Sequence, residues 1–75
     1  MKWYGYSKGD EQAERPSEQE EVTVTADPTT LRALAKFLAH VADEMDRHGE
    51  RFGHAHFEDY WPEAGGQCRV VVQKE

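Results

Sequence analysis

The chain has 75 residues, of which 37% are hydrophobic, and it carries a formal net charge of −6. This length allows a single small domain, residues 1–75, with a modest hydrophobic core. An acidic surface repels phosphate backbones and anionic lipids, so direct binding to nucleic acid or to a membrane is disfavoured. A basic protein is the partner that this charge favours.

The cysteine content and the N-terminus bear on location. Cys68 is the single cysteine, so no internal disulfide can form, which fits a reducing compartment. Residues 1–6 contain no apolar run that approaches a signal peptide or a membrane span. The expected location is the cytoplasm.

The first 26 residues predict two strands joined by a connector. Residues 2–7 are rich in aromatics and predict a short first strand. Residues 8–20 contain no branched aliphatic or aromatic side chain, and they predict a flexible acidic loop or an arm that orders against a partner. Residues 21–26 alternate, with Val22 and Val24 on one side, which predicts a half-buried strand.

A long amphipathic helix is predicted over residues 28–48. Asp27 can cap the first turn, Pro28 suits the first helical position, and Gly49 is a typical C-terminal stop. Asp43 and Arg47 have the spacing of a helical ion pair. The predicted apolar stripe, with Phe37 on its flank, consists of Leu31, Leu34, Ala35, Leu38, Val41, Ala42 and Met45.

The last third of the chain predicts an aromatic segment and a final strand. The helix would be roughly 31 Å long and the strand before it about 20 Å, so the helix should extend past the sheet near Val41 and Met45. The aromatic residues of 50–66 can cover that end, as an ordered loop or as a short helix over 54–61 that stops before Pro62. Residues 67–73 predict the last strand.

Together these elements predict an α+β fold. It is a small two-layer sandwich, with a sheet of about three strands and one long amphipathic helix packed on one face. The other face of the sheet would present Thr23, Thr25 and Val71. A half-apolar face of this kind suits pairing with a second copy or with another protein.

A histidine-based metal site is one hypothesis. On an extended segment His54 and His56 would lie on one face, with Glu58, Asp59 or Cys68 as further ligands. On a helix the same two imidazoles would point apart. The competing structural interpretation is that both histidines hydrogen-bond around a packed aromatic loop. His40 and His48 are interpreted as residues of the helix flank and C-terminus.

Catalytic motifs are absent from the sequence. It contains no Gly-rich phosphate loop, no CxxC and no HExxH. Cys68 falls among valines, where an apolar setting makes a thiol inert. The carboxylates of Glu58, Asp59 and Glu63 are explained by a solvated loop. No cofactor is expected, and the chain is predicted not to be an enzyme.

The segment from Phe57 to Trp61 indicates molecular recognition. Tyr and Trp beside carboxylates are typical of interface residues that meet basic side chains. Coverage of the core explains the same aromatics, and the two roles are compatible. The predicted partner-binding residues are His54, His56, Glu58, Asp59, Tyr60 and Trp61.

Several stretches of the chain resemble the immunity protein 32 family of bacterial polymorphic toxin systems. They are Tyr4–Ser7, Glu21–Pro28, Leu31–Ala35, Ala42–Met45, Phe52–Phe57 and Val70–Val72, of which the His-x-His-Phe element is the most distinctive. The resemblance implies a small non-enzymatic protein that binds and neutralises a cognate toxin. It carries over no individual binding residues.

Three functional hypotheses therefore stand. The leading one is an immunity-type protein that neutralises a cognate toxin with a basic surface. The second is a small metal-binding protein that uses His54 and His56. The third is a homodimeric α+β module in which two copies bury the open sheet face.

Overall fold

The computed structural model describes residues 1–9, 14–64 and 69–75. Two short strands come first, β1 (Trp3–Gly5) and β2 (Ser17–Gln19), followed by the long helix α1 (Pro28–His48). After a 3-10 turn at Gly49–Arg51 come strand β3 (His54–His56) and the short helix α2 (Phe57–Tyr60). A second 3-10 turn at Pro62–Ala64 precedes strand β4 (Val71–Gln73). Within these ranges no helix is both long and apolar enough to cross a lipid bilayer.

Helix α1 has the bounds and the caps that the sequence predicts. The Asp27 carboxylate accepts a hydrogen bond from the Thr30 backbone N–H at 2.7 Å, and Pro28 occupies the first helical position. At the other end Gly49 has φ 55°, and its N–H donates to the Met45 carbonyl. A positive φ is costly for a side chain with a Cβ, so glycine ends the helix there.

The charged residues of the last helical turns pair differently from the prediction. Arg47 Nη1 lies 3.1 Å from Glu44 Oε1, and His48 Nε2 lies 3.0 Å from Glu44 Oε2. The predicted pair of Arg47 with Asp43 is not formed among the described residues. Side chains three and four residues apart are both neighbours on a helix surface, so Glu44 and Asp43 can each reach the Arg47 guanidinium. In the structure Glu44 forms the pair.

The face of α1 that enters the core is centred on Phe37. This ring is 1% exposed and Val41 is 2% exposed, whereas the sequence placed Phe37 on the flank of the apolar stripe. Leu31 and Leu38, both predicted to face the core, are each 44% exposed. The bulky aromatic ring fills the space beside α2, so the helix is turned toward it and away from the leucines.

The predicted three-stranded sheet is wrong, because the described strands form two separate antiparallel pairs. Strand β1 pairs with β2, with Tyr4 opposite Glu18, and β3 pairs with β4, with Ala55 opposite Val72. Ser17–Gln19 thus form a strand inside the range predicted as a loop. Of the predicted last strand over 67–73, residues 71–73 are confirmed, residues 69 and 70 precede the strand, and residues 67 and 68 lie outside the described residues.

The predicted strand at 21–26 is also wrong. These residues are described, but they form no strand, and Val22 and Val24 are 43% and 54% exposed. Alternation of apolar residues shows that a segment can form a strand, yet a strand also needs an edge to pair with. Here β2 takes the free edge of β1. The open sheet face with Thr23 and Thr25 is therefore not formed.

The aromatic segment packs on α1, as predicted. Phe57 is 4% exposed and completes the core with Phe37, Val41 and Ala64. Phe52 and Trp61 pack against the same cluster, as does Met45. Residues 54–61 are not one helix, because β4 pairs with His54–His56 and only Phe57–Tyr60 turn helically. The two-layer arrangement therefore consists of α1 on one side and of β3, α2 and β4 on the other.

Candidate functional site

Strand β3 presents two imidazoles on one face. Side chains two residues apart in a strand point to the same side, and the rings of His54 and His56 meet edge to face with centroids 5.0 Å apart. Ala55 between them points the other way and packs against the core. The extended alternative of the sequence analysis is therefore correct for these two residues.

Helix α2 begins directly after β3 and turns the next side chains toward α1. The Phe57 N–H donates to the Val70 carbonyl at 3.0 Å, which ties the start of α2 to the chain leading into β4. Phe57 enters the core, while Tyr60 remains 42% exposed. Because Phe57 and Tyr60 are three residues apart, they share a helix face, and both rings reach Phe37 at 5.3 and 5.7 Å.

Tyr60 lies between two open grooves. The first, which we call the histidine groove, has a volume of about 380 Å³ and is lined by His40, His54, His56, Asp59 and Tyr60, with Phe37 and Ala55 as its apolar part. The second, the cationic groove, has a volume of about 630 Å³ and is lined by Arg32, Lys36, Tyr60 and Trp61 together with Thr29 and Ala33. An exposed tyrosine between two grooves offers a ring and a hydroxyl to a partner.

The structure brings together most of the predicted partner-binding residues. His54, His56, Asp59 and Tyr60 line the histidine groove, and Trp61 lines the cationic groove beside Tyr60. Glu58 lines neither groove, although its Oε1 lies 3.7 Å from His56 Nδ1. The six residues therefore form one continuous surface, which we call the Tyr60 surface.

Three residues of the site were missed by sequence reasoning. His40 was interpreted as a helix flank, yet its ring lies 5.3 Å from the Tyr60 ring. Arg32 and Lys36 were not among the predicted partner-binding residues, yet they line a groove with Tyr60. The available signal was the spacing of His40 from Phe37, since residues three apart share a helix face. That signal is usable only once Phe37 is known to point inward.

The grooves are open and their charged groups are solvated. Among the described residues no polar or charged side chain is buried. Exposed rings with charged side chains around them are suited to contact with a protein surface.

The metal hypothesis gains no third ligand in the part of the chain that the structure describes. There, no group of three or more His, Cys, Asp or Glu side chains is arranged to hold a metal ion. Cys68, one of the predicted ligands, lies outside the described residues. A stable structural zinc site needs four ligands, and His54 with His56 provide two.

Comparison with known proteins bears on the family of this chain. A family model described as Immunity protein 32 matches residues 21–75. The match includes α1, the Tyr60 surface and β4, and it excludes strands β1 and β2. No curated protein and no solved structure matches the chain.

Proposed function

The chain belongs to the immunity protein 32 family, and on that premise we propose that it binds a cognate bacterial toxin and neutralises it without enzymatic activity. The family match over residues 21–75 is the observation that carries this proposal. Neutralisation by binding requires a surface that can hold a protein partner, and the Tyr60 surface has the composition of one.

The centre of the contact is Tyr60 in this proposal. Its ring is packed on Phe37 and His40, so its position is set before a partner arrives, and 42% of it remains open to solvent. A rigid, half-exposed tyrosine loses little conformational freedom on binding and buries a large area. Trp61 and His56 extend the contact on either side.

The acidic residues of α2 and the net charge of the chain favour a toxin with basic side chains, while Arg32 and Lys36 of the cationic groove favour acidic groups beside them. Glu58 and Asp59 lie on α2 next to Tyr60, and the whole chain has a net charge of −6. Complementary charges accelerate association and select the partner more than they increase the affinity. We therefore expect the association rate to fall as salt is added, while the aromatic contact sets the lifetime of the complex.

The test is binding to the toxin-like protein encoded beside this gene. We expect the purified pair to form a complex and co-expression to relieve the growth arrest that the toxin causes. Tyr60→Ala should weaken binding at least ten-fold, in the range of interface hot spots. Tyr6→Ala is the matched control, since Tyr6 is 56% exposed and lies outside the family match. Absence of both binding and protection in the wild type would refute the proposal.

A second pair of variants tests the charge. Asp59→Lys reverses a charge on the Tyr60 surface, and Glu21→Lys makes the same reversal at an exposed position outside it. We expect a slower association for Asp59→Lys than for Glu21→Lys at low salt, with the difference disappearing at high salt. Melting curves of all the variants separate a loss of contact from a loss of fold.

A further inference from the structure

Helix α1 has a second apolar surface, which is exposed from Leu31 to Ala42 and meets the core only at Met45. Leu31 and Leu38 are each 44% exposed, Ala35 and Ala42 are also exposed, and Met45 is half-buried. These residues follow one another at alternating intervals of four and three, which is the spacing of one seam along a helix. We call them the leucine stripe. A helix that packs through one face alone would carry polar residues here.

The leucine stripe and the Tyr60 surface lie on different sides of the molecule. Ala33, Phe37 and His40 are the α1 residues that face α2. With 3.6 residues per turn, the centre of the stripe is roughly one third to one half of a turn away from them. A partner on the stripe would therefore leave Tyr60 accessible, and Arg32, which also lines the cationic groove, is the one residue named in both surfaces. The inference does not depend on the proposed function, because its test uses the chain without toxin.

We propose that the leucine stripe pairs with the same stripe of a second copy, with the two α1 helices antiparallel. Arg32 and Asp46 occupy equivalent heptad positions on one flank of the stripe. In an antiparallel pair with Leu38 of each copy against Ala42 of the other, Arg32 of each copy faces Asp46 of the other. A twofold axis therefore produces two opposite-charge pairs from one pair of residues.

The charges support this orientation over the parallel one. In a parallel pair the flank that holds Arg32 and Asp46 would face the side of the second helix that holds Asp27, Leu34 and Val41. Arg32 would then meet Asp27, but Asp46 would face Val41, which is 2% exposed in the core of its own chain. The side chains of Arg32 and Asp46 are both exposed and take part in no hydrogen bond or ion pair within the described ranges. They are therefore available for a second copy.

The stripe also has the shape that close helix pairing needs. Alanine at every seventh position lets two helix backbones approach, and the leucine of one helix then fills the space over the alanine of the other. The core of the single chain is small, with Phe37, Val41, Phe57 and Ala64 as the buried hydrophobic residues that the structure describes. Burial of a second apolar face adds stability that a chain of this size lacks.

Sedimentation equilibrium of the full chain over micromolar concentrations, without toxin, tests the pairing. We expect a monomer–dimer equilibrium for the wild type, because one helix pair is a small interface. Leu38→Glu should be monomeric throughout, since it would place a carboxylate in the apolar seam. Val24→Glu should dimerise like the wild type, because Val24 is 54% exposed and lies outside the helix. Far-ultraviolet circular dichroism verifies that the variants keep α1.

A charge exchange tests the orientation. Arg32→Asp and Asp46→Arg should each raise the dimer dissociation constant at least ten-fold. Each substitution turns both Arg32–Asp46 contacts of the dimer into contacts between like charges. The double variant should return close to the wild-type value, since it restores both opposite-charge pairs. A wild type that remains monomeric, a dimer unaffected by Leu38→Glu, or a double variant without rescue would each overturn the proposal. So would a monomeric wild type whose toxin binding is lost in Leu38→Glu, because the toxin would then occupy the stripe.

Discussion

The rings of Phe37 and Phe57 lie 5.3 Å apart in a tilted arrangement and join the long helix to the unit that carries the Tyr60 surface. Both rings are almost completely buried. Aromatic pairs at this separation stabilise a protein beyond the area that they bury. The same contact sets the position of α2, and through α2 it sets the position of Tyr60. The stability of the fold and the position of the proposed binding surface therefore both depend on this pair of residues.

The first prediction compares the same substitution inside and outside this core. Val41→Ala removes two methyl groups from a side chain that is 2% exposed, and Val24→Ala removes them from one that is 54% exposed. We expect the free energy of unfolding to fall by about 1–3 kcal/mol for Val41→Ala and by less than about 0.5 kcal/mol for Val24→Ala. Urea denaturation measures both. Equal losses would contradict the position of the core.

The second prediction concerns the cap of α1. The hydrogen bonds of the Thr30 backbone and side chain hold the pKa of Asp27 below its ordinary value of 3.8. A carboxyl with a lowered pKa in the folded state stabilises the protein above its unfolded pKa, and this contribution disappears as the pH falls through the folded pKa. Asp27→Ala should therefore lower the melting temperature by several degrees at pH 7 and by less as the pH drops below 3.8.

Asp27→Asn is the control for the cap. An asparagine caps a helix about as well as an aspartate but has no charge to titrate. Its advantage over Asp27→Ala should therefore persist to low pH, where the advantage of the wild type fades. Thermal melts at a series of pH values measure all three proteins. A wild-type advantage that stays constant across the series would contradict this account of Asp27.

The third prediction uses Trp61 as a reporter of partner binding. The chain has two tryptophans. Trp3 is 43% exposed on β1, and Trp61 lines the cationic groove. In Trp3→Phe the fluorescence comes from Trp61 alone, and if the toxin covers the Tyr60 surface, we expect the emission to shift to shorter wavelength. A toxin without tryptophan, or one labelled with a non-emitting analogue, keeps the signal specific. Binding without any spectral change would place the contact elsewhere.

The fourth prediction concerns the hairpin of β1 and β2. The family match begins at residue 21, and every residue assigned to the core cluster falls between Ala33 and Val72. Trp3, Tyr4 and Tyr6 on and beside β1 are all exposed. A chain of residues 21–75 should therefore keep the helical circular dichroism spectrum, melt within a few degrees of the full chain and bind the toxin with similar affinity. Loss of folding on deletion would assign the hairpin a structural role.

Helix α1 shows what local chemistry determines by itself. Its start depends on Asp27 and Pro28 and its end on Gly49, and each of these acts through hydrogen bonds or backbone angles within one turn of its own position. The helix over residues 28–48 was therefore predictable from neighbouring residues alone. The side-by-side placement of His54 and His56 needed only the further knowledge that this segment is extended.

Tertiary structure decided how these local pieces were combined. The alternation at 21–26 indicates a strand, but the edge of β1 is occupied by Ser17–Gln19, so Val22 and Val24 remain exposed. The apolar residues of α1 cover more than one face, and contact with Phe57 selected the face centred on Phe37. That choice placed His40 beside Tyr60 and left the leucine stripe open.

The physical reason is the range over which each interaction acts. Caps and turns join atoms that are close along the chain, so a short stretch of sequence contains all the information that they need. Strand pairing and the choice of a buried helix face depend on segments far apart in sequence that compete for the same surface. The sequence by itself therefore determined the long helix and the family of the chain. Only the tertiary structure decided which surfaces remain exposed.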